Sequence, residues 1–224
     1  RTLVGQLDKL TKSNGRVMLT GPAGSGKEVA ARYIHANSNR ANAPFVTVNC
    51  AGVAPDRMEE VLFGRETPER GVETGLLEQA HGGVVYFDEV ADMPLGTQSK
   101  ILRVLVDQQF QRVGGTDKVR VDLRVISSTS RDLEAAIKAE AFRQELYHRL
   151  NVVPVVVPSL EDRREDIPLL AEYFINDMNK NQGLPLRTLS DDAIAMMQTM
   201  VWPGNVRQLK NLVERVLILG DGTG

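Results

Sequence analysis

A glycine-rich segment between a short apolar run and a helical stretch constrains this chain more than any other feature. It satisfies the pattern G-x-x-x-x-G-K. Its residues are Gly21, Pro22, Ala23, Gly24, Ser25, Gly26, Lys27 and Glu28. Residues 17–20 before it have the character of a buried strand, and residues 27–37 after it follow helical periodicity. In that order, loop amides and a helix N-terminus converge on phosphate groups, and Lys27 reaches the β- and γ-phosphates. We therefore expect an ATP site rather than an ordinary glycine-rich turn.

Acidic residues at two positions are candidates for the magnesium ion that accompanies ATP. Glu28 stands where the usual pattern has Ser or Thr, and a carboxylate can meet the metal directly or through water. The apolar run Val84–Phe87 ends in Asp88 and Glu89. In a chain with a P-loop, Asp88 is expected to hold Mg²⁺ and Glu89 to polarise the attacking water. The alternative is that both acids are simply solvated at the end of a strand.

Composition excludes several classes of protein. The chain has 224 residues, of which 42% are hydrophobic and 25% charged, as is ordinary for a globular protein. Its net charge of −2 does not favour general nucleic-acid binding. The lone Cys50 excludes an internal disulfide and is expected to be a small buried residue. The histidines have no metal-binding spacing, so no zinc-type site is expected.

No apolar run approaches the roughly 20 residues of a membrane span, and no signal peptide opens the chain. We expect a cytoplasmic protein without membrane contact. Because the first residue is Arg1 rather than Met, we expect a fragment of a longer protein.

Short apolar runs alternate with helical stretches through the first two thirds of the chain, which predicts a parallel α/β sheet with helices on both faces. The predicted strands span residues 17–20, 45–49, 84–87, 123–128 and 152–157. Polar residues 65–75 predict a loop, and residues 110–121 a hairpin. The predicted α/β domain covers residues 1–158.

Residues 159–224 predict a small all-α lid domain, because no convincing strand follows Pro158. Residues 167–180 form its first predicted helix. Ser190 is expected to cap the second helix, and Asn205 to cap the last one, over residues 206–219.

The motifs together resemble the AAA+ central domain of NtrC-type bacterial response regulators, the enhancer-binding activators of sigma-54 RNA polymerase, and in particular their NtrX type. The likeness runs through nearly the whole chain and includes the P-loop that ends in Lys27-Glu28. Further matching segments are Val48–Cys50, Leu62–Gly64, Gly82–Gly83, Gln111–Gly115, Phe142–Leu150, Arg163–Ile167 and Trp202–Arg207. The resemblance implies a P-loop AAA+ fold with strand order 5-1-4-3-2 and ring assembly of several copies, with nucleotide at the subunit interfaces.

The resemblance also implies roles for individual residues. Asn49 matches the switch asparagine that bonds the catalytic glutamate. Thr129 and Ser130 match the sensor I pair, although the family usually has Asn at the second position. Arg207 matches sensor II, which reaches the nucleotide from the lid of the same subunit.

Arg143 and Arg149 match two arginines that the neighbouring subunit supplies to the γ-phosphate. Six residues rotate a regular helix by about 240°, so both side chains cannot point the same way from one straight helix. Either the helix breaks between them, or only one reaches the phosphate and the other serves the interface.

One family hallmark is missing. The family carries a Gly-Ala-Phe-Thr-Gly-Ala loop that touches the sigma factor, whereas residues 67–74 of this chain contain no aromatic residue. By alignment the segment is about four residues shorter, which removes up to roughly 13 Å of reach. The family's segment over the adenine would lie before Arg1.

Two functional hypotheses remain open. The first is an ATPase motor that remodels sigma-54 polymerase, and the second is an ATP-binding assembly module that has lost the sigma-factor contact. In the whole protein the resemblance implies a receiver domain addressed by a sensor kinase and a helix-turn-helix domain that binds DNA. A small-molecule kinase also fits a P-loop, but the paired arginines and the helical lid argue against it.

Overall fold

A five-stranded parallel sheet organises the first part of the molecule. The computed structural model describes residues 2–220. The sheet strands are β1 Val17–Thr20, β2 Phe45–Asn49, β3 Val84–Asp88, β4 Arg124–Thr129 and β5 Val153–Val156. Their order is 5-1-4-3-2, and every neighbouring pair is parallel. The predicted α/β fold class and the strand order that the resemblance implied are confirmed.

Helices connect these strands and form the C-terminal part. They are α1 Thr2–Thr11, α2 Lys27–Ala36, α3 Met58–Phe63, α4 Leu76–Gln79, α5 Leu95–Asp107, α6 Leu133–Lys138, α7 Gln144–Leu150, α8 Ile167–Gln182, α9 Asp191–Thr199 and α10 Asn205–Leu219. Short 3-10 segments occupy Val90–Asp92 and Glu161–Asp166. Within residues 2–220, no helix is long and apolar enough to cross a membrane.

The central strands are buried, as expected of parallel strands covered on both faces. All four residues of Val84–Phe87 are at most 1% exposed, and so are Val17, Met18 and Leu19 of β1. Cys50, predicted to be buried, is 2% exposed, and burial raises the pKa of its thiol to about 12. That thiol is therefore an inert part of the core.

The register of the sheet aligns the carboxyl ends of four strands. Thr20 at the end of β1 lies opposite Thr129 at the end of β4, and Asn49 at the end of β2 lies opposite Asp88. Strand β3 pairs with β4 on its other side. The residues that end these strands therefore share one edge of the sheet, where open α/β sheets bind ligands.

The prediction of a loop over residues 65–75 is wrong. Arg65–Thr67 pairs antiparallel with Gly71–Glu73, and an ion pair of 2.6 Å joins Arg65 to Glu73 across the hairpin. Because its strands are polar on both sides, the sequence shows no apolar alternation that could reveal them. The hairpin predicted over residues 110–121 is confirmed, and it pairs Gln109–Gln111 with Lys118–Arg120.

Among the described residues, those from Val157 to Gly220 form a helical unit, with which residues 21–26 group. Within the described part of this unit there is no strand. Ser190 caps α9 as predicted, since its hydroxyl accepts a hydrogen bond of 3.1 Å from the Ala193 amide.

The prediction that Asn205 caps α10 is wrong. Gly204 holds the cap position, and Asn205 is the first helical residue, with φ of 49°. Its side chain accepts instead from the Leu160 amide at 2.8 Å. Asparagine tolerates this left-handed conformation better than most residues. A residue type typical of helix caps therefore links α10 to Leu160 here.

We predict that Gly83→Ala lowers the free energy of unfolding by about 2–3 kcal/mol, because the added carbon would lie 2.0 Å from the Pro44 carbonyl oxygen between β2 and β3. Gly5→Ala is the control, because its added carbon meets nothing within 4 Å and alanine favours a helix interior by about 0.5–1 kcal/mol. Urea unfolding followed by circular dichroism measures both. Equal midpoints in the two variants would contradict this account of Gly83.

Candidate nucleotide-binding site

The loop of residues 21–26 joins β1 to α2, as the pattern predicts. Gly24 and Gly26 have φ of 75° and 100°, a region that L-residues with side chains rarely adopt. A side-chain carbon on Gly24 would also lie 2.7 Å from the Gly204 carbonyl oxygen, and one on Gly26 would lie 3.0 Å from an Arg163 nitrogen. The sequence interpretation assigned these glycines to phosphate approach. The structure adds a second cause, which is the close approach of the chain's own helical unit.

The residues around the start of α2 combine buried polar groups with an exposed acid. Lys27 is 7% exposed, although its side chain carries an ammonium group. The Ser25 hydroxyl is fully buried and has no hydrogen-bond partner among the described residues. Glu28 is exposed and forms a 3.5 Å ion pair with Arg32 one turn along α2. A buried polar atom without a partner requires an explanation, and an ion or water bound at the loop would provide one.

The surroundings of Asp88 disfavour the charged form of its carboxylate. Its Oδ1 accepts a 3.3 Å hydrogen bond from the Ser128 hydroxyl. Burial raises the pKa of Asp88 above its ordinary value, and the carboxylates of Glu28 and Glu89 raise it further. The Ser128 hydrogen bond and the charge of Lys27 oppose the shift.

These carboxylates fit a magnesium ion that arrives with phosphate. Mg²⁺ is usually bound through one or two carboxylates together with substrate phosphates and water. Asp88 and Glu28 provide two carboxylates whose mutual repulsion a cation would relieve. Within residues 2–220, no group of three or more His, Cys, Asp or Glu could hold a metal. The two carboxylates therefore suit Mg²⁺ bound jointly with phosphate groups.

Glu89 follows β3 in a left-handed conformation with φ of 55°. Its backbone amide donates to the Ser128 hydroxyl at 3.3 Å. Its carboxylate accepts from the Thr129 hydroxyl at 3.0 Å, and from the hydroxyl and amide of Ser130 at 2.6 and 3.1 Å. A non-glycine residue in this conformation is strained, and such strain concentrates at functional sites. The two predicted sensor residues are thus brought directly onto the predicted base.

Within residues 2–220, no hydrogen bond joins Asn49 to Glu89, so the predicted switch contact stays a prediction. The Asn49 Oδ1 accepts from the Gly52 amide at 3.1 Å, within the turn that follows β2. Asparagine side chains commonly bond their own backbone in turns. The Glu89 carboxylate accepts its hydrogen bonds from Thr129 and Ser130 instead.

The two predicted arginine fingers differ in backbone conformation. Helix α7 begins at Gln144, and Arg143 precedes it with an extended backbone. Arg149 lies in the last turn of α7. The two residues therefore do not belong to one straight helix, although α7 itself is not broken between them. Which of the two arginines reaches a phosphate stays a prediction. Both are exposed.

Gln98 supports Arg143 and was missed by the sequence interpretation. Its fully buried side chain accepts from the Arg143 amide at 2.8 Å, and the Arg143 Nε donates to the Leu95 carbonyl at 3.1 Å. A buried glutamine inside an amphipathic helix was the only signal available.

Arg207 lies on the first turn of α10, and its side chain is exposed. Its backbone amide donates to the Gly24 carbonyl at 3.1 Å. Arg207, Ala23, Trp202 and Arg215 help to line a cavity of about 700 Å³ within the helical unit. The predicted sensor II residue therefore lies beside the phosphate-binding loop.

Comparisons with known proteins agree with this geometry. The Sigma-54 interaction domain family matches residues 1–156, and the AAA+ ATPase lid domain family matches residues 161–224. The nitrogen assimilation regulatory protein NtrX of Azorhizobium caulinodans is 54% identical over 217 residues, which cover 96% of this chain and 48% of that protein.

Crystal structures of NtrX from Brucella abortus are similar in sequence and fold. The complex with ADP has a TM-score of 0.84 at 54% identity, covering 100% of this chain and 50% of that chain. The complex with ATP has a TM-score of 0.81 at 55% identity, covering 100% and 51%. The chain thus spans about half the length of the relatives it matches.

We predict that Asp88→Asn raises the melting temperature of the nucleotide-free protein at neutral pH, since it removes a desolvated carboxylate repelled by Glu28 and Glu89. Because folding raises the pKa of Asp88, the ionised carboxylate destabilises the folded protein, and this effect is fully present above the folded pKa. The effect declines as the pH falls through the raised pKa to the ordinary carboxyl value. The gain should therefore shrink in acid. Calorimetry from neutral to acidic pH measures it, with exposed Asp56→Asn as the control. A gain that grows in acid would contradict the assignment.

Proposed function

This chain belongs to the Sigma-54 interaction domain family, and we propose that it binds ATP with Mg²⁺ and hydrolyses it to ADP and phosphate within a bacterial transcription regulator. One observation carries the proposal. Strand β4 lies between β1, which leads into the P-loop, and β3, which ends in Asp88. Thr129 at the end of β4 and the following Ser130 donate hydrogen bonds to the Glu89 carboxylate. The crystal structures of Brucella abortus NtrX in complex with ATP and with ADP support the same ligand here.

Each residue type suits its proposed part in hydrolysis. The buried ammonium of Lys27 neutralises phosphate charge, and loop amides such as those of Gly24 and Gly26 donate to phosphate oxygens. Asp88 and Glu28 would hold a magnesium ion, which would neutralise phosphate charge. Glu89 accepts the proton of the attacking water, and Thr129 and Ser130 orient its carboxylate.

Arg143 and Arg149 contribute to catalysis from a neighbouring copy in a ring. Both are exposed, and Gln98 and Leu95 hold Arg143 at the start of α7. An arginine supplied in this way typically raises phosphoryl-transfer turnover by about 10³-fold or more. Arg207 acts from the lid of the same subunit. Asn49 keeps its proposed role as the switch that senses the nucleotide, although it bonds Gly52 in this structure.

The hairpin at residues 65–73 bears on what the ATPase acts on. Its turn is formed by residues 68–70, Pro68 stiffens it, and Val72, at 56% exposure, is its sizeable exposed apolar side chain. Ion pairs from Arg65 to Glu73 and from Arg112 to Glu66 fasten it. A short, polar and tethered tip is poorly suited to burying an aromatic ring on a sigma factor. We therefore favour an assembly module that regulates transcription without the usual sigma-54 contact.

The alternative is an active motor that remodels sigma-54 polymerase despite the altered tip, and the match to the Sigma-54 interaction domain family favours it. Because the chain spans about half of its relatives, contacts with DNA and with a sensor kinase belong to further domains of the whole protein. We place that protein in the cytoplasm, in keeping with its proposed role in transcription.

We predict that Lys27→Ala weakens ATP binding by at least about 100-fold, because it removes a full charge from the phosphate site. Glu89→Gln should bind ATP normally and lose about 10²–10⁴-fold in hydrolysis, because an amide cannot accept the proton. Titration with a fluorescent ATP analogue and phosphate release measure the two effects. Lys9→Ala on α1 is the control. Near-normal affinity after Lys27→Ala would sink the site assignment.

We predict that the unaltered domain does not support open-complex formation by sigma-54 holoenzyme in the presence of ATP. A domain that carries the family's six-residue Gly-Ala-Phe-Thr-Gly-Ala loop as a graft should support it, since the Phe can bury apolar surface worth roughly 1.5–3 kcal/mol per subunit. The same graft with serine in place of that Phe is the control. Efficient open complexes from the unaltered chain would establish the motor alternative.

A further inference from the structure

Three consecutive carbonyl groups of the phosphate-binding loop are held by the helical unit. The acceptors are the carbonyl oxygens of Ala23, Gly24 and Ser25. Their donors are, in the same order, the Asn205 side-chain amide at 3.4 Å, the Arg207 backbone amide at 3.1 Å and the Arg163 guanidinium. We call Arg163, Asn205 and the Arg207 amide the carbonyl clamp. The loop also groups with the helical unit.

The clamp determines which way the loop amides face. In a planar trans peptide, the carbonyl of one residue and the amide of the next point in opposite directions. Holding the carbonyls of residues 23–25 therefore turns the amides of residues 24–26 away from the clamp. The Ser25 amide donates to the Pro22 carbonyl at 3.1 Å, whereas those of Gly24 and Gly26 have no acceptor within residues 2–220. Successive amides turned outward in this way form an anion-binding concavity.

Stability alone gives little reason to place an arginine at position 163. The residue is 8% exposed, its Nε has no hydrogen-bond partner among the described residues, and the Asp166 carboxylate lies 3.9 Å away. Burial lowers the pKa of its guanidinium. Replacing an incompletely paired buried charge with an apolar side chain of similar volume is often neutral or stabilising. The arginine contributes a hydrogen bond to the Ser25 carbonyl, and its guanidinium lies close to Gly26.

Asn205 has the corresponding arrangement. It is 7% exposed and adopts a left-handed conformation. Its oxygen accepts from the Leu160 amide at 2.8 Å, so its nitrogen is turned toward the Ala23 carbonyl. Both polar ends of the side chain are used, and one end is committed to the loop.

We propose that Arg163 and Asn205 are positioning residues for nucleotide binding, which hold the loop carbonyls so that the amides are oriented for phosphate before ATP arrives. This inference rests on the proposed binding of ATP at residues 21–28. It adds a function for two lid residues that need not touch the nucleotide.

The test uses Arg163→Met with Arg164→Met as its matched control. Arg164 is also a partly buried arginine of the helical unit, but its guanidinium donates to the Gln198 and Met200 carbonyls at 2.7 Å, away from the loop. Two measurements are made on each protein: hydrogen exchange of the peptide containing residues 21–28 without nucleotide, and the dissociation constant of MgATP. Melting temperatures show whether the two variants are equally stable.

We expect Arg163→Met to speed exchange in the loop and to weaken MgATP binding by about tenfold or more, while Arg164→Met changes neither. Asn205→Asp should act like Arg163→Met, because it keeps an acceptor for Leu160 and places an oxygen against the Ala23 carbonyl. Arg163→Lys retains a donor and should restore part of the affinity.

Equal exchange and equal affinity in the Arg163 and Arg164 variants would overturn the proposal. So would faster exchange without any loss of affinity, since the clamp would then order the loop without serving binding. Absence of MgATP binding in the unaltered protein would instead contradict the proposed function. The exchange rates, which require no nucleotide, would still show whether the clamp orders the loop.

Discussion

The parallel register of β1, β4 and β3 is the constraint on which the rest of the site depends. Because Thr20 lies opposite Thr129 and β3 pairs with the other side of β4, the phosphate loop, the sensor residues and the paired acids all follow strands that end at one edge. Hydrogen bonds within the sheet maintain this alignment in a buried core. A shift of register by one residue would move every one of these side chains to the opposite face.

Several groups of the candidate site, unlike those of the sheet, are in energetically unfavourable surroundings. Asp88 holds a carboxylate whose pKa is raised by burial and by neighbouring acids, Glu89 adopts a strained backbone conformation, and the Ser25 hydroxyl is buried without a partner among the described residues. Under the proposed function, a cation and phosphates would relieve or use each of these features. The sheet would then present groups whose pairing MgATP completes.

The sequence predicts the sheet well because each strand is an apolar run bounded by turns, and it predicts the P-loop because a spacing of glycines with Lys27 has a direct physical cause. It could not reveal the hairpin at residues 65–73, which polar ion pairs stabilise, or the true position of Asn205, which depends on Leu160, 45 residues away. It also missed the carbonyl clamp, since such tertiary hydrogen bonds leave no local pattern. The Asn49 turn contact with Gly52 was missed for the same reason.

The central claim is that ATP is hydrolysed by residues from two copies of this chain, and complementation tests it most directly. Lys27→Ala and the double variant Arg143→Ala/Arg149→Ala are each expected to be inactive. When they are mixed, some interfaces combine an intact phosphate site from one copy with intact arginines from the other, so phosphate release should recover. Light scattering verifies that the variants assemble together. Full co-assembly without any recovery of ATPase activity would contradict the account.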